Sequence, residues 1–107
     1  GLEAGRVLFA AELRPSAIFS SNDEMAAGIV HAAHEAGLEV PGDVSLVGFD
    51  DLEGSMYTTP PLTTVRQPLY EVGIGIGRRM LAMLGHQQPA ADVPGLSLVV
   101  RESVRLV

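Results

Sequence analysis

Two clusters of side chains in this chain have the chemistry to hold a small polar ligand. One is Ser20-Ser21-Asn22-Asp23; the other is Asp50-Asp51. A carboxylate only accepts hydrogen bonds, whereas a carboxamide both donates and accepts, so together they can hold a polar ligand. Each cluster follows a short apolar run, Ala17-Ile18-Phe19 in the first case and Val44 to Phe49 in the second. Catalytic alternatives find little support in the spacing. Adjacent side chains on an extended segment point apart, so Asp50 and Asp51 do not form an acid–base pair. No Ser-His-Asp set stands in a supporting context. His31 and His34 lie three apart on a helical stretch, but only Glu35 stands at a supporting interval, which fits a solvated helix face better than a metal site. The chain is read as a binding module with neither cofactor nor metal, and not as an enzyme.

The elements that must position these clusters follow from the apolar pattern. Val44, Leu46, Val47 and Phe49 form a run rich in β-formers, suited to a strand covered on both faces in a parallel sheet. Gly48 within it admits close approach of backbone or ligand. Upstream, Ser21-Asn22-Asp23-Glu24 is a helix-start signal: cap-type side chains followed by an acid in the first turn. The helix is predicted over Glu24 to Ala36, with Met25, Ile29, Ala32, Ala33 and Ala36 on one side and Gly37 at its stop. Pro41-Gly42-Asp43 then turns the chain into the strand. The result is a parallel βαβ unit. Both polar clusters then fall on one sheet edge, beyond the carboxyl ends of the strands, where open α/β folds bind ligands.

The flanking chain reads as support. Glu3 to Leu13 is predicted helical, with Val7, Leu8, Ala11 and Leu13 in helical spacing and Pro15 closing it. Pro60-Pro61 ends a loop before a second extended piece, Leu62 to Arg66. Tyr70 to Leu84 is predicted as a helix despite Gly73, Gly75 and Gly77; close packing against a neighbour is the simplest reason for three glycines that each cost on the order of 1 kcal/mol. Their spacing and helical context do not fit a phosphate loop. Gln87 to Gly95 is a polar loop, Leu96 to Val100 a last strand, and Val104 and Leu106 alternate in the tail. Met25, Met56, Met80 and Met83 are expected to fill core or interface.

Composition bounds the rest. The 107 residues carry 13 acids against 7 basic residues, a net charge of −6. All the basic residues are arginines. Such a segment is poorly suited to gripping a phosphate backbone. Cysteine is absent, which fits a reducing cytosol and leaves no disulfide framework. No apolar run approaches a membrane span, and the first residues do not resemble a secretory signal. Without an initiator Met, the chain is expected to be a piece of a larger cytoplasmic protein.

Ser21-Asn22-Asp23-Glu24-Met25-Ala26, Val40-Pro41 with Asp43-Val44-Ser45, and Val47-Gly48-Phe49-Asp50-Asp51 closely resemble the LacI/GalR family of bacterial transcriptional regulators. Thr59-Pro60-Pro61-Leu62-Thr63-Thr64-Val65-Arg66-Gln67-Pro68 and Arg101-Glu102-Ser103 extend the resemblance over almost the whole chain. It implies the C-terminal part of an effector-binding domain: a truncated α/β, parallel-sheet lobe of the type I periplasmic-binding-protein-like fold. Residues 1–66 and 96–107 would belong to the C-terminal lobe, and 67–95 to the crossover and a helix that packs on the other lobe. Asn22, Asp50 and Gln67 match positions that often hydrogen-bond a sugar or similar effector. Each has another possible role: helix cap for Asn22, Asx turn for Asp50, hinge hydrogen bond for Gln67. Asp23 and Asp51 follow as secondary ligand candidates beside a structural role. Ala27, Met56 and Tyr57 match a homodimer interface, and DNA would be bound only through a helix-turn-helix outside this chain. A sugar-binding protein of a periplasmic transporter is the alternative, although its members usually lack the Thr-Pro-Pro-Leu-Thr-Thr-Val-Arg-Gln-Pro run.

Overall fold

The computed structural model describes residues 1–90 and 92–105. The elements run α1 (Leu2–Ala10), β1 (Ala17–Phe19), α2 (Asp23–Glu35), β2 (Ser45–Asp50), a 3-10 turn (Glu53–Met56), β3 (Thr63–Arg66), α3 (Leu69–Met83) and β4 (Ser97–Val99). The sheet has the order β1-β2-β3-β4. β1 pairs parallel with β2, Phe19 opposite Val47, and β2 pairs parallel with β3, Asp50 opposite Arg66. The expected parallel β-α-β arrangement is therefore present, with α2 as its helix. The 3-10 turn has no counterpart in the sequence reading, because Glu53-Gly54-Ser55-Met56 has no periodic pattern. The alternating tail residue Leu106 lies outside the described residues, as does Ala91 within the polar loop.

By contact the chain divides into two compact units, Gly1–Arg66 with the chain from Leu98 onward, and Gln67–Ser97. The core of the first unit joins Phe9 of α1, Ala26, Ile29, Ala32 and Ala33 of α2, and Val44, Leu46 and Leu62 around the sheet. Small side chains bring the two helices together. A Cβ on Gly5 would stand 2.6 Å from Ala32 Cβ, and one on Gly28 would stand 2.5 Å from the Leu2 nitrogen. The face of α1 turned inward is consequently Gly5 and Phe9, while Val7 is 68% exposed. α1 also ends earlier than expected: beyond Ala10, Leu13 is 91% exposed and no burial extends the helix. On α2 the buried side includes Asp23 and Ala26, not Met25 or Ala36. Arg6 grips Glu35 through two hydrogen bonds of 2.7 and 2.8 Å, joining α1 to α2 at the surface. The hydrogen bond from Arg6 holds the Glu35 carboxyl below the ordinary range.

The closing residues stitch the sheet. Ser103 is fully buried; its hydroxyl donates to Leu46 O (2.6 Å) and accepts from Thr63 N (2.8 Å). The Leu46 amide donates to Ser103 O at 2.8 Å. A serine serves here because one hydroxyl satisfies a donor and an acceptor at once.

In the second unit α3 is a helix with none of its 15 residues buried. Tyr70, Met80 and Met83 are 78%, 61% and 81% exposed. Together with Met25 and Met56, also exposed, this removes the methionines from the core. Nor do Gly73 and Gly77 mark close packing among the described residues: a Cβ at either would meet no atom of theirs within 4 Å beyond the helix's own backbone. Gly85 ends the helix with φ +87°, a conformation that favours glycine.

Identical substitutions should therefore act in opposite directions on the two units. Gly5→Ala is expected to destabilise by about 1–2 kcal/mol, overpacking outweighing helix propensity, read as a lower urea midpoint. Gly73→Ala and Gly77→Ala should each favour α3 by about 1 kcal/mol, read as slower amide exchange within 69–83.

Candidate functional site

The parallel register carries β1 and β2 out of the sheet on the same edge. Ser20 is still attached, its amide donating to Val47 O at 2.8 Å, and Asn22 follows as the N-cap of α2. Asn22 Oδ1 accepts from the Met25 amide at 2.8 Å. Its capping role is thus realised with the carboxamide oxygen, and the side chain remains half-buried at the rim. Asp50 is the last residue of β2, half-buried on that same rim and engaged in an interaction of its own. Gln67 is the residue after β3 and the first of the second unit; it too is engaged.

Asp23, one residue into α2, has turned away from solvent. It is only 4% exposed. Oδ1 accepts from Thr64 Oγ1 at 2.5 Å, and Oδ2 accepts from the Leu52 amide at 2.9 Å and from the Ser55 hydroxyl. One carboxylate therefore fastens the start of α2, the middle of β3 and the 3-10 turn. Buried charge is tolerated only with such a full set of partners. The arrangement needs the glycine in β2: a Cβ on Gly48 would overlap Asp23 Oδ1 and lie 2.8 Å from Leu62 Cδ2. Gly48 thus admits a side chain of the same chain.

Asp51 is likewise occupied. Its side chain is 7% exposed and lies between two guanidinium groups: Oδ2 accepts from Arg66 Nε at 2.5 Å and Oδ1 from Arg101 Nη2 at 2.6 Å. Arg101 also donates from Nη1 to Leu62 O (2.8 Å) and from its amide to Thr63 Oγ1 (2.9 Å). Burial pushes the Asp51 carboxyl up, but the hydrogen bonds from Arg101 and then Arg66 outweigh it and hold it below the usual carboxylate range. The backbone at this point is unusual. Asp50 and Asp51 have φ +114° and +58°, a region non-glycine residues enter at a cost of about 1–2 kcal/mol each.

Sequence reasoning named Asp23 and Asp51 but not the partners that occupy them: Ser55, Thr64, Arg66 and Arg101. A signal was present in Thr63-Thr64, two hydroxyl side chains in a strand that is buried at both positions, and in the Arg101-Glu102-Ser103 closing motif. Ala27, Met56 and Tyr57 are exposed, the last two by 46% and 73%. With Leu52 they leave apolar surface around the 3-10 turn and the start of α2.

Residues 2–104 match the family described as periplasmic binding protein-like domain. The chain belongs to that family, in its LacI/GalR branch. The ribose operon repressor of Escherichia coli K12 is 47% identical over 73 residues, covering 68% of this chain and 22% of the repressor. A LacI family transcriptional regulator from Lactobacillus casei, solved with bound sucrose, superimposes with a TM-score of 0.85 at 32% identity, covering 96% of this chain and 39% of that one. The lac repressor dimer bound to operator and the anti-inducer ONPF gives 0.82 at 32% identity, covering 96% of this chain and 36% of that one. The LacI-type relatives are transcriptional repressors rather than enzymes. The chain spans about a fifth to two-fifths of the length of these relatives. Among the described residues no helix is long and apolar enough to cross a membrane.

Two outcomes follow for this LacI-type domain. Asp23→Asn turns one of the two acceptor oxygens into a donor, so that either the Thr64 hydroxyl or the Leu52 amide with the Ser55 hydroxyl loses its acceptor, and is expected to cost about 1–3 kcal/mol in urea unfolding, with faster amide exchange at Leu52. Asp51 has a folded pKa below its unfolded value of about 3.9, so the folded state binds fewer protons around that pH. Its contribution is complete above about pH 5 and is lost as pH falls through the folded pKa. Asp51→Asn should therefore be less stable than the parent at pH 7, with the gap closing below about pH 4; a gap that persists or widens in acid would contradict the ion-pair account.

Proposed function

We propose that this chain is the effector-sensing and dimerisation portion of a bacterial LacI-type transcriptional repressor, and that its effector is a sugar or a related small polar molecule. The observation that carries this reading is the pairing of β1 and β2 in parallel, so that a carboxamide and a carboxylate follow adjacent strands on one rim. Asn22 and Asp50 supply complementary hydrogen bonding to hydroxyls, and Gln67 is included as a ligand contact on its resemblance to family positions. Asp23 and Asp51 are left out of the ligand set, since other side chains already fill their carboxylates. The bound glucose and sucrose of the Lactobacillus casei regulator and the ribose operon repressor support a sugar among the candidate effectors.

Residues 67–95 are proposed to be the crossover and helix that pack against the other lobe, which agrees with the exposed apolar side chains of α3. Ala27, Met56 and Tyr57 are proposed to meet a second copy, on the support of their exposure and of the lac repressor's dimeric structure. Effector binding between lobes would favour one lobe orientation, and the dimer would pass that preference to DNA-binding heads. The protein is placed in the cytoplasm on this reading.

The test uses the product of the complete open reading frame, titrated calorimetrically with D-ribose, D-glucose and sucrose. At least one should bind, and Asp50→Ala should weaken that binding by about 30-fold or more, the loss of charge-assisted hydrogen bonds in a closed cleft. Binding that survives Asp50→Ala at full strength would refute the rim as the effector site.

A further inference from the structure

Asp50 and Asp51 form two consecutive positive-φ residues with no glycine between them, at φ +114° and +58°. Aspartate is among the residues that tolerate this region, but tolerance alone does not select it. Something must hold the turn. The Asp51 carboxylate is the best-anchored group nearby, with Arg66 Nε at 2.5 Å and Arg101 Nη2 at 2.6 Å. Its two arginines come from opposite parts of the sequence. Arg66 ends β3, directly opposite Asp50 in the sheet register, and Arg101 follows β4. Arg101 is itself fixed by Leu62 O and is only 14% exposed, so the anchor is buried on its inner side. The Asp51 amide also reaches Thr64 Oγ1 at 3.4 Å, and that hydroxyl donates to Asp23. The turn is therefore tied to β3 through both the backbone and the side chain of Asp51. Charge-assisted, double-sided pairing of this kind is strong and directional.

We propose that Asp51 is a positioning residue: clamped between Arg66 and Arg101, it holds the left-handed turn that sets the backbone from which Asp50 projects at the rim. The proposal rests on the reading of Asp50 as an effector contact, but the backbone part of it stands independently. Asp51 would touch no ligand; it would act through its neighbour. An ordinary structural ion pair at the same place would contribute stability without determining the conformation of residue 50.

Three variants separate these roles: Asp51→Asn, which keeps a residue tolerant of positive φ while removing the charge; Arg66→Gln, which removes only the more exposed partner; and Arg101→Gln. The backbone angle at Asp50 is read from three-bond HN–Hα couplings and Cα shifts by NMR, and sugar affinity from titration of the open-reading-frame product with D-ribose, D-glucose and sucrose. Asp51→Asn should shift the Asp50 couplings away from positive φ and weaken the sugar bound by the parent about tenfold or more, although Asp50 is intact. Arg66→Gln should move both readouts the same way by less, and it serves as the test if Asp51→Asn or Arg101→Gln does not fold. A lowered melting temperature with Asp50 couplings unchanged in the folded variants would overturn the proposal. If the parent binds none of the sugars, the effector reading fails for these ligands, and the Asp50 couplings still decide whether Asp51 sets the turn.

Discussion

A single buried carboxylate ties the start of α2 to the sheet and to the 3-10 turn. Asp23 begins α2, yet its oxygens are filled by Thr64 on β3 and by Leu52 and Ser55 beyond β2. Three segments far apart in the chain thereby meet at one point. A buried carboxylate is tolerated with this set of hydrogen bonds, and it would be costly if any partner were missing. Gly48 is the other half of the device, since a side chain there would occupy the space of the carboxylate. The helix start, the sheet and the 3-10 turn are consequently fixed relative to one another, and the rim they border inherits that rigidity.

The acids of this chain divide according to environment. Asp23 and Asp51 point into partners and act as fasteners, whereas Asn22 and Asp50 stay at the strand ends. Asp50 and Asp51 sit on consecutive positive-φ backbone positions, and it is Asp51 whose side chain lies between Arg66 and Arg101. Arg66 and Arg101 hold the Asp51 carboxylate from two sides. The chain carries a net charge of −6, and three of its seven arginines are paired with carboxylates.

The two units differ in how far their apolar residues are satisfied. In the first, Leu46, Leu62 and Val44 share one core cluster with residues of α1 and α2 and have almost no exposure. In the second, α3 keeps an apolar pattern without a buried residue. A helix whose stability comes from tertiary packing needs a covering surface, and the matched relatives are longer than this chain, which spans 39% of the Lactobacillus casei regulator.

Local chemistry in the sequence was sufficient for the elements whose signal is short-range. The Asn22 cap, the Gly37 stop, the β-rich run before Asp50 and the helical periodicity after Pro68 each locate an element to within a residue or two, because capping and side-chain period act over one or two turns. The parallel order of β1 and β2 followed from the helix between them. What the sequence left open was which of several equivalent groups would be buried. Met25 and Ala26, or Val7 and Phe9, stand on different faces of their helices, and only the approach of α1 to α2 through Gly5 and Ala32 selects which face is buried. The same holds for the acids: a carboxylate's fate is set by partners 15 to 50 residues away. Tertiary structure alone supplies those partners, since long-range hydrogen bonds leave no periodic trace in the sequence around either group.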